Sequence, residues 1–172
     1  MVTLGALLLC GFGPVELEHI RVPLRAKGWA VINSQDSPGH GNTIERVPTG
    51  ESAANWTKLI SIQFIEGSKE TPANFMDALR KKMVDRCQNV DWSIIESDKV
   101  SVLYEWKIES CKAAEDQHEI ARIIQGNDGL HRAAYVEKTR LMDASTRDSW
   151  LTNLRAAFVM KDGKPITLNG RR

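Results

Sequence analysis

The side chains that most often bind metals or act as nucleophiles are few in this chain. It has four histidines, His19, His40, His118 and His131, and no two of them stand at the spacing of a metal-binding motif. His118 and His131 flank the same turn and can approach each other across a hairpin. A surface pair of imidazoles without a third ligand is usually only solvated, so we predict no metal site.

Sequence motifs of common catalytic and cofactor sites are also missing. It contains no nucleophile elbow, no phosphate-binding loop and no dinucleotide fingerprint. Glu105 and Glu109 fall on one face of a predicted strand, but the strand rise separates them by about 13 Å, too far for a catalytic carboxylate pair. We expect these carboxylates on a solvated sheet face. The sequence therefore predicts no catalytic residues, no cofactor and a protein that is not an enzyme.

Two of the three cysteines can pair with each other. Cys10 belongs to the N-terminal leader, which leaves Cys87 and Cys111 as an even pair. In an oxidising compartment such a pair is expected to form a disulfide, which would add roughly 3 kcal/mol of stability. The alternative is two free, buried cysteines.

The N-terminus is an apolar run from Met1 to Cys10. It is too short to span a bilayer but is typical of the apolar region of an export signal, although no Lys or Arg precedes it. Cys10 also fits lipid attachment, except that Leu9 stands where such signals carry a small residue. We expect export to the periplasm, with attachment to a membrane through Cys10 left open. The alternative is a buried first element of a cytosolic domain.

Composition is that of one soluble domain. Of its residues 42% are hydrophobic and 26% charged, and the net charge of +1 offers no electrostatic surface for nucleic acid. We expect a leader at 1–13, an irregular lead-in at 14–28, a single α+β domain at 29–160 and a flexible tail at 161–172.

Alternating apolar residues predict most of the secondary structure as strands. The predicted strands cover residues 29–33, 43–47, 56–64, 91–96, 100–109, 118–125 and 130–138. Residues 34–42, rich in Ser, Pro and Gly, are expected to form a loop. Strands that follow one another through hairpins favour an antiparallel sheet.

Two helices interrupt the strands. Thr71 is the expected N-cap of the first, with Pro72 at the first helical position and Cys87 at the end. The second is predicted from Ser145 to Val159, with Ser145 as its cap. Its expected buried side consists of Trp150, Leu151, Leu154 and Phe158. The predicted fold class is α+β, an antiparallel β-sheet with two helices packed against it.

One segment carries a resemblance to a known family. Residues 44–64 contain Val47-Pro48-Thr49-Gly50-Glu51, then Asn55-Trp56, then a strand ending near Gln63. This segment resembles small, mostly uncharacterised proteobacterial envelope proteins, and the similarity extends over residues 29–159. The resemblance supports the Cys87–Cys111 pairing, and the order of elements is similar to the PsbP-like architecture. It brings no known activity.

Candidate binding residues follow from exposure and from the resemblance. Trp29 and Trp56 begin strands and are expected to be partly exposed, where they could anchor a partner. Glu51, Gln125 and Asn127 are polar positions within the matching segments, for which a structural role is the alternative.

Three functions remain open. The first is a non-enzymatic accessory or structural subunit of a periplasmic or outer-membrane assembly, such as a secretion apparatus, with protein partners in the envelope. The second is a periplasmic small-ligand binding module, with a pocket between helix and sheet lined by Met76, Met83 and Trp106. The third is a hydrolase with an atypical site.

Overall fold

The computed structural model describes residues 17–24 and 27–167. The predicted leader, including Cys10, lies outside the described residues. The elements in chain order are β1 (His19–Arg21), β2 (Trp29–Ser37), β3 (Gly41–Pro48), β4 (Lys58–Glu66), α1 (Pro72–Arg86), β5 (Val90–Ser97), β6 (Ser101–Ile108), β7 (Gln117–Gln125), β8 (Gly129–Glu137), α2 (Ala144–Arg155), β9 (Phe158–Lys161) and β10 (Lys164–Pro165).

A seven-stranded antiparallel sheet forms the centre of the structure. Its strand order is β2-β3-β4-β8-β7-β6-β5, so β2 and β5 are the edge strands. A small sheet of order β1-β9-β10 lies beside it, and β1 contacts β4 and β8. The predicted α+β class, with an antiparallel sheet and two helices, is confirmed. None of the helices in the described residues is long and apolar enough to cross a membrane.

Helix α1 packs on one face of the sheet, here called the α1 face. The Thr71 hydroxyl accepts a hydrogen bond from the Asn74 backbone N–H at 3.2 Å, which is the predicted N-cap. At the other end, Cys87 and Cys111 are joined as a disulfide, as predicted, with their Cα atoms 4.9 Å apart. The disulfide therefore ties the end of α1 to the segment that follows β6.

Helix α2 packs on the opposite face, here called the α2 face. Asp143, and not the predicted Ser145, caps the helix, because its carboxylate accepts from the Thr146 backbone N–H at 3.0 Å. Trp150 stacks on Tyr135 with ring centroids 4.0 Å apart. The helix is thereby fixed to β8 through two large aromatic rings.

The second helix is shorter than predicted. It ends at Arg155, where the Arg122 guanidinium donates to the carbonyl oxygens of Leu154 and Arg155. The chain then turns into β9, which pairs with β1. Phe158 was expected in the buried side of the helix, but it begins β9 and its side chain is 38% exposed. The apolar pattern of Phe158-Val159-Met160 belongs to a strand.

Three further segments differ from the sequence-based expectations. Residues 19–21 of the predicted irregular lead-in form β1, and residues 164–165 of the predicted flexible tail form β10. Residues 34–42 were expected to be a loop, but β2 extends to Ser37 and β3 begins at Gly41. An edge strand exposes most of its side chains, so the polar residues of β2 carry no apolar alternation to recognise.

Burial is uneven across the sheet. Strands β6, β7 and β8, here called the covered strands, lie between the two helices and are buried along most of their length. Strands β2, β3 and β4, here called the open strands, are mostly half-buried or exposed. The two hydrophobic cores, one on each face, are therefore concentrated around the covered strands.

Candidate binding cleft

A cleft of about 510 Å³ lies on the α2 face of the open strands. No residue of α2 lines the cleft, and the wall opposite the sheet is β1 with the segment that follows it. The cleft is lined by His19, Ile20, Arg21, Val22, Leu24, Trp29, Asn42, Ile44, Arg46, Ile60, Ile62, Gln63, Phe64 and His131.

The floor of the cleft is aliphatic and aromatic. Ile60, Ile62 and Phe64 alternate along β4, which places them on one face as their spacing predicts. Ile44 stands opposite Ile62 on β3. Apolar walls with a few polar groups are the usual composition of a small-molecule site, and its volume lies within the usual range of about 300–1,000 Å³.

His131 is the buried polar group of the cleft. Its side chain is fully buried and stacks on Phe64 with ring centroids 4.6 Å apart. Its Nε2 lies 3.3 Å from a carboxylate oxygen of Glu18, so Nε2–H donates to that oxygen. Among the described residues nothing pairs with Nδ1. Burial lowers the pKa of His131 against the opposing effect of Glu18, so the ring is neutral near pH 7 and Nδ1 keeps its lone pair.

Glu18 holds β1 in place as the wall of the cleft. Its fully buried carboxylate accepts the backbone N–H groups of Asn127 at 3.1 Å and Asp128 at 3.0 Å. A Cβ on Gly126 would collide with the Glu18 carboxylate and with the His131 ring, so a larger residue at this position would displace them. The turn between β7 and β8 is thus shaped to receive Glu18, which fixes the start of β1 next to His131.

The charged residues that line the cleft are all basic. Arg46 on β3 and Arg21 on β1 make no salt bridge and no side-chain hydrogen bond with another residue in 17–24 or 27–167. No Asp or Glu of these ranges lines the cleft. An unbalanced cationic rim above an apolar floor favours an anionic group in a ligand.

The five predicted binding residues do not share one surface. Trp29 lines the cleft and packs edge-on against Tyr135 at 6.3 Å. Lys138 Nζ lies 4.7 Å from the ring of Trp56, near the same end of the sheet. Gln125 lies at the opposite end, because β4 and β8 pair from Lys58–Glu137 to Glu66–Gly129.

Three of those residues organise loops. The Glu51 carboxylate accepts from the Thr57 backbone N–H and from its hydroxyl, both at 2.6 Å, and these hydrogen bonds lower the pKa of Glu51. The Gln125 amide donates to the carbonyl oxygens of Gly126 and Gly129 at 3.0 and 3.2 Å. The Asn127 backbone contributes to the Glu18 site. The structural reading of these positions explains all the contacts they make.

A second histidine is buried on the α2 face, and its hydrogen bonds are complete. His118 Nδ1 accepts the Met142 backbone N–H at 2.8 Å, and Nε2–H donates to Glu105 at 2.5 Å. Arg147 donates to both carboxylate oxygens of Glu105 at 2.7 Å. Burial raises the pKa of Glu105, but the hydrogen bonds from Arg147 and His118 outweigh it and lower the pKa overall. Because both ring nitrogens are used, this cluster positions α2 and offers no free base.

This cluster corrects two expectations. Glu105 was expected on a solvated face, but it is buried under the start of α2. His118 and His131 were expected as a neighbouring surface pair, but both are fully buried. His118 stands opposite Glu137, and His131 opposite Ile124, which separates the two histidines by about 20 Å along the strands.

The predicted pocket between helix and sheet is present in part. Met83 and Trp106 line a cavity of about 240 Å³ on the α1 face, whereas Met76 is buried beneath and does not line it. Its floor is an ion pair between Arg132 and Glu119 at 2.5 Å. The cavity is smaller and more polar at its base than the cleft on the other face.

The important residues that sequence reasoning missed are Glu18, His131, Arg21 and Arg46. Glu18 and Arg21 fall in a segment that was expected to be irregular. His131 gave a signal, since it alternates with Ala133 and Tyr135 on the inward side of its strand. A histidine in an inward position is buried, and a buried histidine needs a partner.

The fold and the cleft define a mixed α+β protein with a basic-rimmed apolar site. Comparisons with protein-family models, with curated proteins and with solved structures found no match. In the described part of the chain no group of three or more His, Cys, Asp or Glu residues could hold a metal ion.

Proposed function

We propose that this protein is a non-enzymatic binding protein of an oxidising compartment, and that the cleft holds a small, largely apolar ligand. The observation that carries the proposal is the cleft itself, with its apolar floor and the unpaired Nδ1 of His131. Folding leaves such an apolar surface open to water only at a cost, which a bound ligand would offset. The Nδ1 of His131, beside the cleft, adds a buried nitrogen without a partner among the described residues.

The disulfide supports the choice of compartment. Bonds of this kind persist in the periplasm and in other oxidising spaces, and are rare in the cytosol. Together with the apolar N-terminus they support export to the bacterial periplasm. We include three further points in this proposal. The protein belongs to the envelope family, it has a PsbP-like architecture, and Cys10 carries a lipid.

Calorimetric titration with decanol tests the binding function. The full chain should bind decanol, and Ile62→Trp should abolish binding because the larger side chain fills the cleft. Ile94→Trp, at the exposed edge strand β5, is the matched control and should bind normally. An Ile62→Trp variant that binds decanol unchanged, or a full chain that binds neither decanol nor a charged compound with the same decyl chain, would contradict the proposal.

A second candidate is an accessory subunit of an envelope assembly. It is favoured by β2, an edge strand whose outer side is unpaired among the described residues and whose Val31 side chain is 54% exposed. A partner could add a strand there. Affinity purification of the tagged protein from membranes should recover an envelope component. The Val31→Asp variant should no longer recover this component, and the control variant Ile94→Asp should still recover it. Recovery of the monomer alone would count against this function.

A further inference from the structure

The ends of the cleft differ in their chemistry. Arg46 stands opposite Ile60 at one end, and Asn42 stands opposite Phe64 at the other. These two rows are four residues apart along each strand, which is about 13 Å. Ile44 lies on the row between them, so the middle of the cleft is aliphatic.

Charge is confined to the rim and is of one sign. Arg46 is half-buried and Arg21 is exposed, and both line the cleft without an acidic neighbour among the described lining residues. The carboxylate of Glu18, at the start of β1, is fully buried and accepts hydrogen bonds from the backbone N–H groups of Asn127 and Asp128. The arginines are therefore available to an anion that enters from solvent.

We infer that the ligand is an amphipathic organic anion, with an acidic headgroup at Arg46 and an unbranched apolar body lying over Ile44 and Ile62. The inference rests on the binding function proposed above and adds the charge and the orientation of the ligand. A guanidinium at the rim binds a carboxylate with charge-assisted hydrogen bonds, while the body removes apolar surface from water. Asn42 places a polar group at the other end of the cleft, which limits the apolar stretch and suits a chain of medium length.

Three probes with the same apolar body separate charge from burial. Decanoate, decanol and decyltrimethylammonium, each below its micellar concentration, are titrated calorimetrically into the full chain. We expect decanoate to bind roughly tenfold more tightly than decanol, because a hydrogen bond between charged groups adds affinity of about this size. Decyltrimethylammonium should bind most weakly, because its cation meets Arg46 and Arg21.

A substitution at the rim tests the position of the headgroup. Arg46→Gln should remove the tenfold preference for decanoate and leave the affinity for decanol unchanged. Arg80→Gln is the matched control, since Arg80 is exposed on α1 on the other side of the sheet. Arg80→Gln should leave the affinities for all three probes unchanged. If Arg80→Gln instead reduced the preference for decanoate as much as Arg46→Gln does, the preference would come from net charge alone.

The outcomes distinguish the two proposals. Equal affinities for decanoate and decanol in the full chain would overturn the anionic class while leaving the binding function in place. Unchanged decanoate preference in Arg46→Gln would overturn the assigned orientation. Failure of all three probes to bind would overturn the binding function, and the inference with it.

Discussion

The covered strands and the open strands differ in whether their charged side chains are paired. Glu105 and Glu119 in the covered strands are buried, and each is paired with an arginine and a further hydrogen-bond donor. Arg46 in the open strands lines a cleft without an acidic partner among the described residues. The acidic side chains of the covered strands are paired within the fold, whereas the arginine of the open strands has no acidic partner among the described residues. Under the binding function proposed above, the covered strands chiefly carry stability and the open strands chiefly carry binding.

Removing one member of the buried pair on the α1 face should have the largest effect. Arg132→Met leaves Glu119 buried without its cation, which should lower the free energy of unfolding by about 3–5 kcal/mol. Urea denaturation followed by circular dichroism measures the change. The double variant Arg132→Met/Glu119→Leu should lower the free energy of unfolding by less than Arg132→Met alone. A cost below about 1 kcal/mol for the single variant would mean that the covered strands do not depend on this pairing.

Reducing the disulfide should have the next largest effect on the covered strands. The disulfide joins two cysteines with a sequence separation of 24. Breaking it should lower the free energy of unfolding by roughly 3 kcal/mol on the chain-entropy account. Urea denaturation with and without a reducing agent measures this difference. The Cys87→Ala/Cys111→Ala double variant should show the lower stability in both conditions. Equal stability of the native chain with and without reductant would show that the cysteines are not joined.

The same substitution in the two regions compares them directly. Ile120 in the covered strands is fully buried, so Ile120→Ala should cost about 2–5 kcal/mol. Ile62 lines the cleft and is half-buried, so Ile62→Ala should cost about 1 kcal/mol or less. Denaturation curves of both variants provide the test. Equal costs would mean that the cleft is closed in solution.

Acid should weaken the fold through its buried histidines. Burial lowers the pKa of His118 and of His131 below the ordinary value of 6.5, so the unfolded chain binds more protons than the folded one just below that pH. The free energy of unfolding should therefore decrease as the pH falls below about 6.5. His118→Gln should make this decrease shallower, because it removes one of the two buried rings. A steeper decrease in His118→Gln would contradict a neutral buried ring.

Local signals in the sequence predict most of the fold. The alternation in β4 and β6 to β8, the cap at Thr71 and the Cys87–Cys111 pair all appear as expected, because each depends on neighbours in the chain or on a strong pattern. The extent of β2 and the whole β1-β9-β10 sheet were missed. The β1-β9-β10 sheet depends on pairing between the two ends of the domain, which no local pattern encodes. The extension of β2 pairs with the neighbouring β3, but its polar residues show no apolar alternation.

The cleft was beyond sequence reasoning for the same reason. Its residues come from β1, β2, β3, β4, β8 and the segment after β1, and their meeting depends on Glu18 reaching the turn before β8. Trp29 alone was predicted at the site, from its exposure at a strand start. The pocket that was predicted, next to Met83 and Trp106, lies on the opposite face.

The indole N–H signals of the five tryptophans in a nitrogen-15 NMR spectrum test the central claim most directly. Trp29 lines the cleft, whereas Trp92 and Trp106 pack on the α1 face. On titration with decanoate we predict a progressive shift of the Trp29 signal while the Trp92 and Trp106 signals stay in place. Movement of the Trp106 signal with an unmoved Trp29 signal would place the ligand under α1 and contradict the account.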